Sequence, residues 1–120
     1  MHSFYTNARG KIEGKKMQKE FQIEQMRNSA DKVVTILKSL ANTDRLLILC
    51  HLAQEELNVS QIEERTHITQ PTLSQQLMML RKSEVVDTRR AGKQIFYSIK
   101  DQKMVEVLGT LYRLYCPIMI

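Results

Sequence analysis

The chain has 120 residues, 42% of them apolar, which is enough for one domain with one core and too few for a second. No apolar run approaches the roughly 18 residues that cross a bilayer, and the opening "MHSFYTNARGKIEGKK" is charged and lacks the apolar stretch of a signal peptide. A soluble cytoplasmic protein is therefore expected, and in a reducing compartment the two cysteines, Cys50 and Cys116, are buried or redox-active thiols rather than a structural disulfide framework; the net charge is +5.

Residues 1–20 carry five bases and two acids with no apolar period, and are expected to form a mobile basic arm. One domain is expected over 21–116, with a tail at 117–120. From Met26 the apolar positions are Met26, Ala30, Val33, Leu37 and Leu40. Gaps of four and three describe one stripe of a helix. The helix should stop near Ala41, because Asn42 or Thr43 can cap a second one and Asp44 favours its positive end. In that second helix Leu46, Leu49, Cys50 and Ala53 share a face, so Cys50 points inward or into a groove. "NVSQIEERTH" follows, where Ser60 and Glu63 are spaced as a capping box for a short helix with Val59 and Ile62 inward. "ITQPTLSQQLMMLRKS" opens a fourth helix, with Thr69 as its cap and Pro71 in its first turn. Leu73, Leu77 and Leu80 form its buried stripe. Gln70, Thr72, Ser74, Gln75, Met79 and Arg81 lie on the opposite face.

The period then changes. Residues 81–103 hold seven bases against three acids, and "VVDTRRAGKQIFYSI" has strand-forming residues on both sides of "AGK". Val86, Thr88, Ile95, Tyr97 and Ile99 alternate along a hairpin, and Gly92 allows the turn. Asp101 caps a last helix with Met104, Leu108, Leu111 and Tyr115 on one stripe, and Pro117 ends it.

The predicted fold is mainly α with a small β-hairpin, in the order ααααββα. A tight "THIT" turn between the third and fourth helices makes a helix-turn-helix, and the hairpin after it makes a wing. This arrangement suits double-stranded DNA. Gln70, Thr72, Ser74 and Gln75 can hydrogen-bond base edges in the major groove, and Arg81 lies on the same face. Arg89, Arg90 and Lys93 in the wing can neutralise phosphates or enter the minor groove. A solvated polar helix and a solvated basic hairpin would have the same composition. No Cys-His or Ser-His constellation and no phosphate loop suggests an enzyme.

"LANTDRLLIL", "QPTLSQQLMMLRKSEVVDTRRAGKQIFYSI" and the final helix resemble the ArsR family of bacterial winged-helix repressors. The resemblance covers about residues 25–116. It implies a homodimer through the first and last helices, each protomer reading half of an inverted repeat until an inducer releases the DNA. Many members have a histidine where this chain has Gln76, and a glutamine can still contact phosphate.

The resemblance also bears on the inducer. Metal-sensing members often begin the helix-turn-helix with a Cys-Val-Cys thiolate pair, and this chain has Asn58 and Ser60 in those places. Neither supplies a soft thiolate. The last helix contains no histidine, and His2, His51 and His67 are scattered. The pair formed by Cys50 and Cys116 resembles the sulfide-responsive branch of the family. That likeness implies that reactive sulfur species link the two thiols, as a disulfide or through several sulfurs, and loosen DNA binding. The regulated operon would then concern hydrogen sulfide detoxification, and no resident metal or cofactor is expected. Two readings stay open beside it: a metal-responsive regulator using the cysteines with a histidine, and a DNA binder without an effector. Cys116 sits at a helix C-terminus, where the dipole disfavours a thiolate and Arg113 can offset it. Cys50 on an apolar face should have a raised pKa.

Overall fold

The structure, a computed structural model, describes residues 16–116. The chain divides into two units, one ending at Leu37 and the other beginning at Lys38.

The described part of the first unit is a single helix, the body of α1 (Lys16–Leu40). Its sequence contains neither glycine nor proline and is rich in Lys, Gln, Glu and Met, which lose little freedom in a helix. The helix therefore starts at Lys16, inside the segment expected as an arm; residues 1–15 and the tail 117–120, with Pro117, lie outside the described residues. The expected stripe has helical phase, yet Met26, Val33 and Leu37 are each about half exposed, at 52%, 50% and 52%. Met17, Phe21, Ile23 and Val34 add to this apolar surface.

The second unit contains α2 (Thr43–Leu52), β1 (Leu57–Asn58), α3 (Val59–Thr66), α4 (Thr72–Lys82), β2 (Val86–Ala91), β3 (Gln94–Ile99) and α5 (Gln102–Tyr115). The sheet order is β1-β3-β2, antiparallel throughout, with Leu57 opposite Tyr97 and Thr88 opposite the same tyrosine on its other side. Ile48, Leu49, Leu57, Ile62, Leu73, Leu80 and Leu108 are fully buried. Burying each such side chain is worth roughly 1.5–3 kcal/mol, so these seven hold the helix-turn-helix, the sheet and α5 on one core. The expected stripe Leu73, Leu77 and Leu80 is inward as predicted.

Several local expectations need correction. In α2 the buried face is Ile48, Leu49 and Leu52, so Leu46, Cys50 and Ala53 fall at its edge and are only half-buried. Of the two expected caps Asn42 takes the role, its side chain accepting from Arg45 N–H at 3.0 Å. The capping box of α3 is not Ser60 with Glu63. It lies two residues earlier, with Asn58 Oδ1 accepting from Gln61 N–H at 2.8 Å and Gln61 Oε1 accepting from Asn58 N–H at 2.9 Å. A box needs extended backbone at its cap, and Asn58 has it because β1 pins it to Phe96. The two-residue strand β1 was not legible from pattern, being shorter than one alternation. Val59 is half-buried rather than inward.

Thr69 does not cap α4. Pro71 stands at the cap position with no side-chain bond, and Gln70 Oε1 instead accepts from Ser74 N–H at 3.1 Å and from Ser74 Oγ–H at 2.6 Å. The hairpin turn is Gly92–Lys93, with positive φ at Gly92 alone (66°), which is the type II′ pattern with glycine first. Asp101 caps α5 as expected, accepting from Lys103 N–H at 2.9 Å. Met104 and Leu108 are inward, Leu111 is half-buried, and Tyr115 is 76% exposed, so the stripe leaves the core in its last turn.

Candidate nucleic-acid interface and thiol pair

The buried leucines of α4 fix its rotation, which turns the intervening residues outward. Ser74, Gln75 and Arg81 are exposed, and Thr72 is half-buried beside them. Gln70 and Ser74 bond each other across the first turn. Gln70 therefore braces the start of the helix as well as facing outward. Met78 and Met79 are exposed too and give this face an apolar component.

Gln76 has a partner that the sequence did not announce. Arg45, in the first turn of α2, donates through Nη1 to Gln76 Oε1 at 3.2 Å and to Met79 Sδ at 3.9 Å. The other edge of the same guanidinium donates through Nε to the Ser39 carbonyl at 2.9 Å and through Nη2 to the Lys38 carbonyl at 3.1 Å. These carbonyls end α1, where backbone acceptors lack helical partners and cations are favoured.

The wing is less uniformly available than its charge suggests. Arg89 donates through Nε and Nη2 to both oxygens of Glu56, at 2.7 and 2.8 Å, and its guanidinium lies 4.7 Å over the Phe96 ring. The pair lowers the pKa of the Glu56 carboxyl, chiefly through the hydrogen bonds from Arg89 and against a smaller opposing effect of burial, and raises that of the Arg89 guanidinium through the hydrogen bonds first and the opposite charge second. Arg90 donates to the Gly92 carbonyl at 3.3 Å, folding back over the turn. Lys93, at the tip, is exposed. The four bases Arg81, Arg89, Arg90 and Lys93 thus differ in freedom, and Glu56 is the reason for the largest difference. Sequence reasoning missed it because Glu56 lies 33 positions from Arg89.

The thiols lie on α2 and at the C-terminal cap of α5. Cys116 is exposed and Cys50 half-buried, both reduced. Burial pushes the Cys50 thiol up, and the nearby Cys116 charge pushes it further. Cys50 lines an open cavity of about 340 Å³ between α2 and α5, together with Ala53, Gln54, Val105, Leu108, Gly109 and Tyr112. A glycine opposite the thiol matters here: a Cβ at Gly109 would meet nothing within 4 Å, so the missing side chain is part of the opening. Burial and then the Arg65 charge lower the pKa of His51. Among the described residues no three His, Cys, Asp or Glu side chains are grouped to hold a metal ion, and no helix is long and apolar enough to cross a membrane.

A sequence profile described as "Bacterial regulatory protein, arsR family" matches residues 42–88. The biofilm growth-associated repressor of Agrobacterium fabrum is 43% identical over 97 residues, which are 81% of this chain and 83% of that one. The crystal structure of the transcriptional repressor BigR from Xylella fastidiosa superposes with a TM-score of 0.73 at 42% identity, covering 78% of this chain and 95% of the other. A homodimeric winged helix-turn-helix DNA-binding domain from Mycobacterium bovis superposes with a TM-score of 0.64 at 30% identity, covering 75% and 83%.

Proposed function

Because the chain belongs to the arsR family of bacterial regulatory proteins, we propose that it is a cytoplasmic, homodimeric repressor that releases its operator when reactive sulfur species link Cys50 to Cys116. Its operon would serve hydrogen sulfide detoxification. The observation that carries this reading is the thiol pair: an exposed Cys116 whose charge is felt at Cys50, and a Cys50 that opens onto a cavity instead of being sealed in the core.

The two environments divide the chemistry. Cys116, the accessible thiol, attacks first as a thiolate on the outer sulfur of a low-molecular-weight persulfide, RSSH. The S–S bond breaks, RS⁻ leaves and takes up a proton, and Cys116 becomes a persulfide. Cys50 then attacks the Cys116 sulfur, its proton passing to water, and expels HS⁻. The sum is two thiols oxidised by two electrons, with RSSH reduced to RSH and hydrogen sulfide. A further round before closure would give a longer bridge. Either bridge ties α5 to α2.

The dimer is supported by the apolar stripe that α1 leaves exposed, Met26, Val33 and Leu37, which a second copy would cover. Two protomers then present their α4 helices to successive major grooves about 34 Å apart. Tethering α5 to α2 alters that spacing, and a coupling of about 1–3 kcal/mol suffices to change occupancy.

The test uses gel shifts on an inverted-repeat duplex selected from a random library by the reduced protein, before and after persulfide treatment, with mass spectrometry of the bridge. Release on treatment, and Cys50→Ser protein that binds and ignores persulfide, are expected. Equal affinity in the bridged and reduced states would rule the switch out.

A further inference from the structure

We propose that Arg45 is a positioning residue for DNA binding: it turns the Gln76 amide so that its NH2 group faces outward as a donor for a backbone phosphate. The inference rests on the DNA-binding reading but not on the thiol switch.

Arg45 has five N–H donors and no acceptor, and its four contacts are two carbonyls, an amide oxygen and a thioether. None is charged, and no carboxylate pairs with this guanidinium among the described residues. Its Nε edge is fixed by the Lys38 and Ser39 carbonyls, which leaves Nη1 aimed at α4. A guanidinium N–H can only take the oxygen end of a side-chain amide. Gln76 Oε1 is therefore committed to Arg45, and the nitrogen end, with its two donors, is turned away from it.

A phosphate accepts and never donates, so this polarity is the useful one. A free glutamine would present oxygen and nitrogen indifferently, and the oxygen would repel a phosphate. The uncompensated Arg45 charge directly behind the amide adds attraction.

Binding is measured on a duplex of about three helical turns of random sequence, since a phosphate contact is independent of sequence. The proteins are wild type, Arg45→Ala, Gln76→Ala and the double variant. A neutral amide displaces no counterion, so Gln76→Ala should leave the slope of log affinity against log salt unchanged while losing about fivefold in affinity, the worth of one hydrogen bond. Arg45→Ala should lose at least as much, and the double variant no more than Arg45→Ala. Additive losses would overturn the proposal, because they would mean that Arg45 acts elsewhere. So would an Arg45→Ala protein of lowered melting temperature with wild-type affinity, which is what a purely structural arginine predicts. Gln76→Glu covers the case in which Arg45→Ala fails to fold. It keeps Arg45 partnered but removes the outward donor, so it should lose about fivefold or more in affinity, and wild-type binding by it refutes the proposal. Failure of persulfide to release DNA would leave this result unaffected.

Discussion

The acidity of Cys50 sets how fast it can be alkylated at a given pH. In Cys116→Ser protein, Cys50 is the only thiol, and iodoacetamide, small and uncharged, reports its thiolate fraction. Burial disfavours the anion and raises the pKa; the Cys116 charge, the smaller cause, is removed by the substitution, so the thiol remains above its ordinary value through burial alone. Below its pKa a thiol gains thiolate about tenfold per pH unit. Alkylation should therefore be slow at neutral pH, speed up about tenfold for each unit, and still be rising at pH 9. The same variant unfolded in urea should react faster at neutral pH, by a factor that measures the raised pKa together with restricted access. A second substitution separates those two. Gly109→Leu fills the cavity where a Cβ meets nothing within 4 Å. It should lower the rate at every pH without altering the slope. A rate that levels off below pH 8 would refute the reasoning, since it would require a stabilised thiolate. A rate unchanged by Gly109→Leu would show that reagents do not reach Cys50 through this opening.

Asn58→Ala removes the side-chain half of the capping box, leaving the Asn58 N–H bond to Gln61 Oε1 in place, and should cost about 1 kcal/mol in urea unfolding, whereas Ser60→Ala should be neutral, reversing the expectation from spacing alone. Leu73→Ala, at a fully buried site of the helix-turn-helix, should cost roughly 2–5 kcal/mol by the same measurement. Glu56→Gln should free Arg89 from its carboxylate and steepen the salt dependence of DNA binding, by up to about 0.9 in slope for one added phosphate contact. An unchanged slope would mean that Arg89 serves the wing's shape and not its charge.

What could be read from the sequence was what repeats along it. The leucines of α4 are periodic and Tyr97 stands out in the hairpin, so these inward positions were legible, and the order of helices and hairpin followed without the short β1. Whatever depends on a distant partner was not. Arg45 reaches Gln76 across 31 positions, and Glu56 reaches Arg89 across 33. The burial edge on α2 was half legible: spacing grouped Cys50 with Leu49, but the core lies toward Ile48 and Leu52, which moves the thiol to the rim. The cap of α3 was misplaced because Ser60 and Glu63 satisfy the spacing rule as well as Asn58 and Gln61 do. Only the strand pairing at Leu57 and Asn58 decides between them.

Asn58 has a second hand. Besides capping α3 it donates through Nδ2 to Gln94 Oε1 at 2.9 Å, at the start of β3 beside the hairpin turn, while its backbone pairs with Phe96. One residue thus joins the helix-turn-helix to the wing. In the proposed dimer, an altered half-site spacing would then be met by hinging between protomers and not within one, and a new base sequence by the outward side chains of α4.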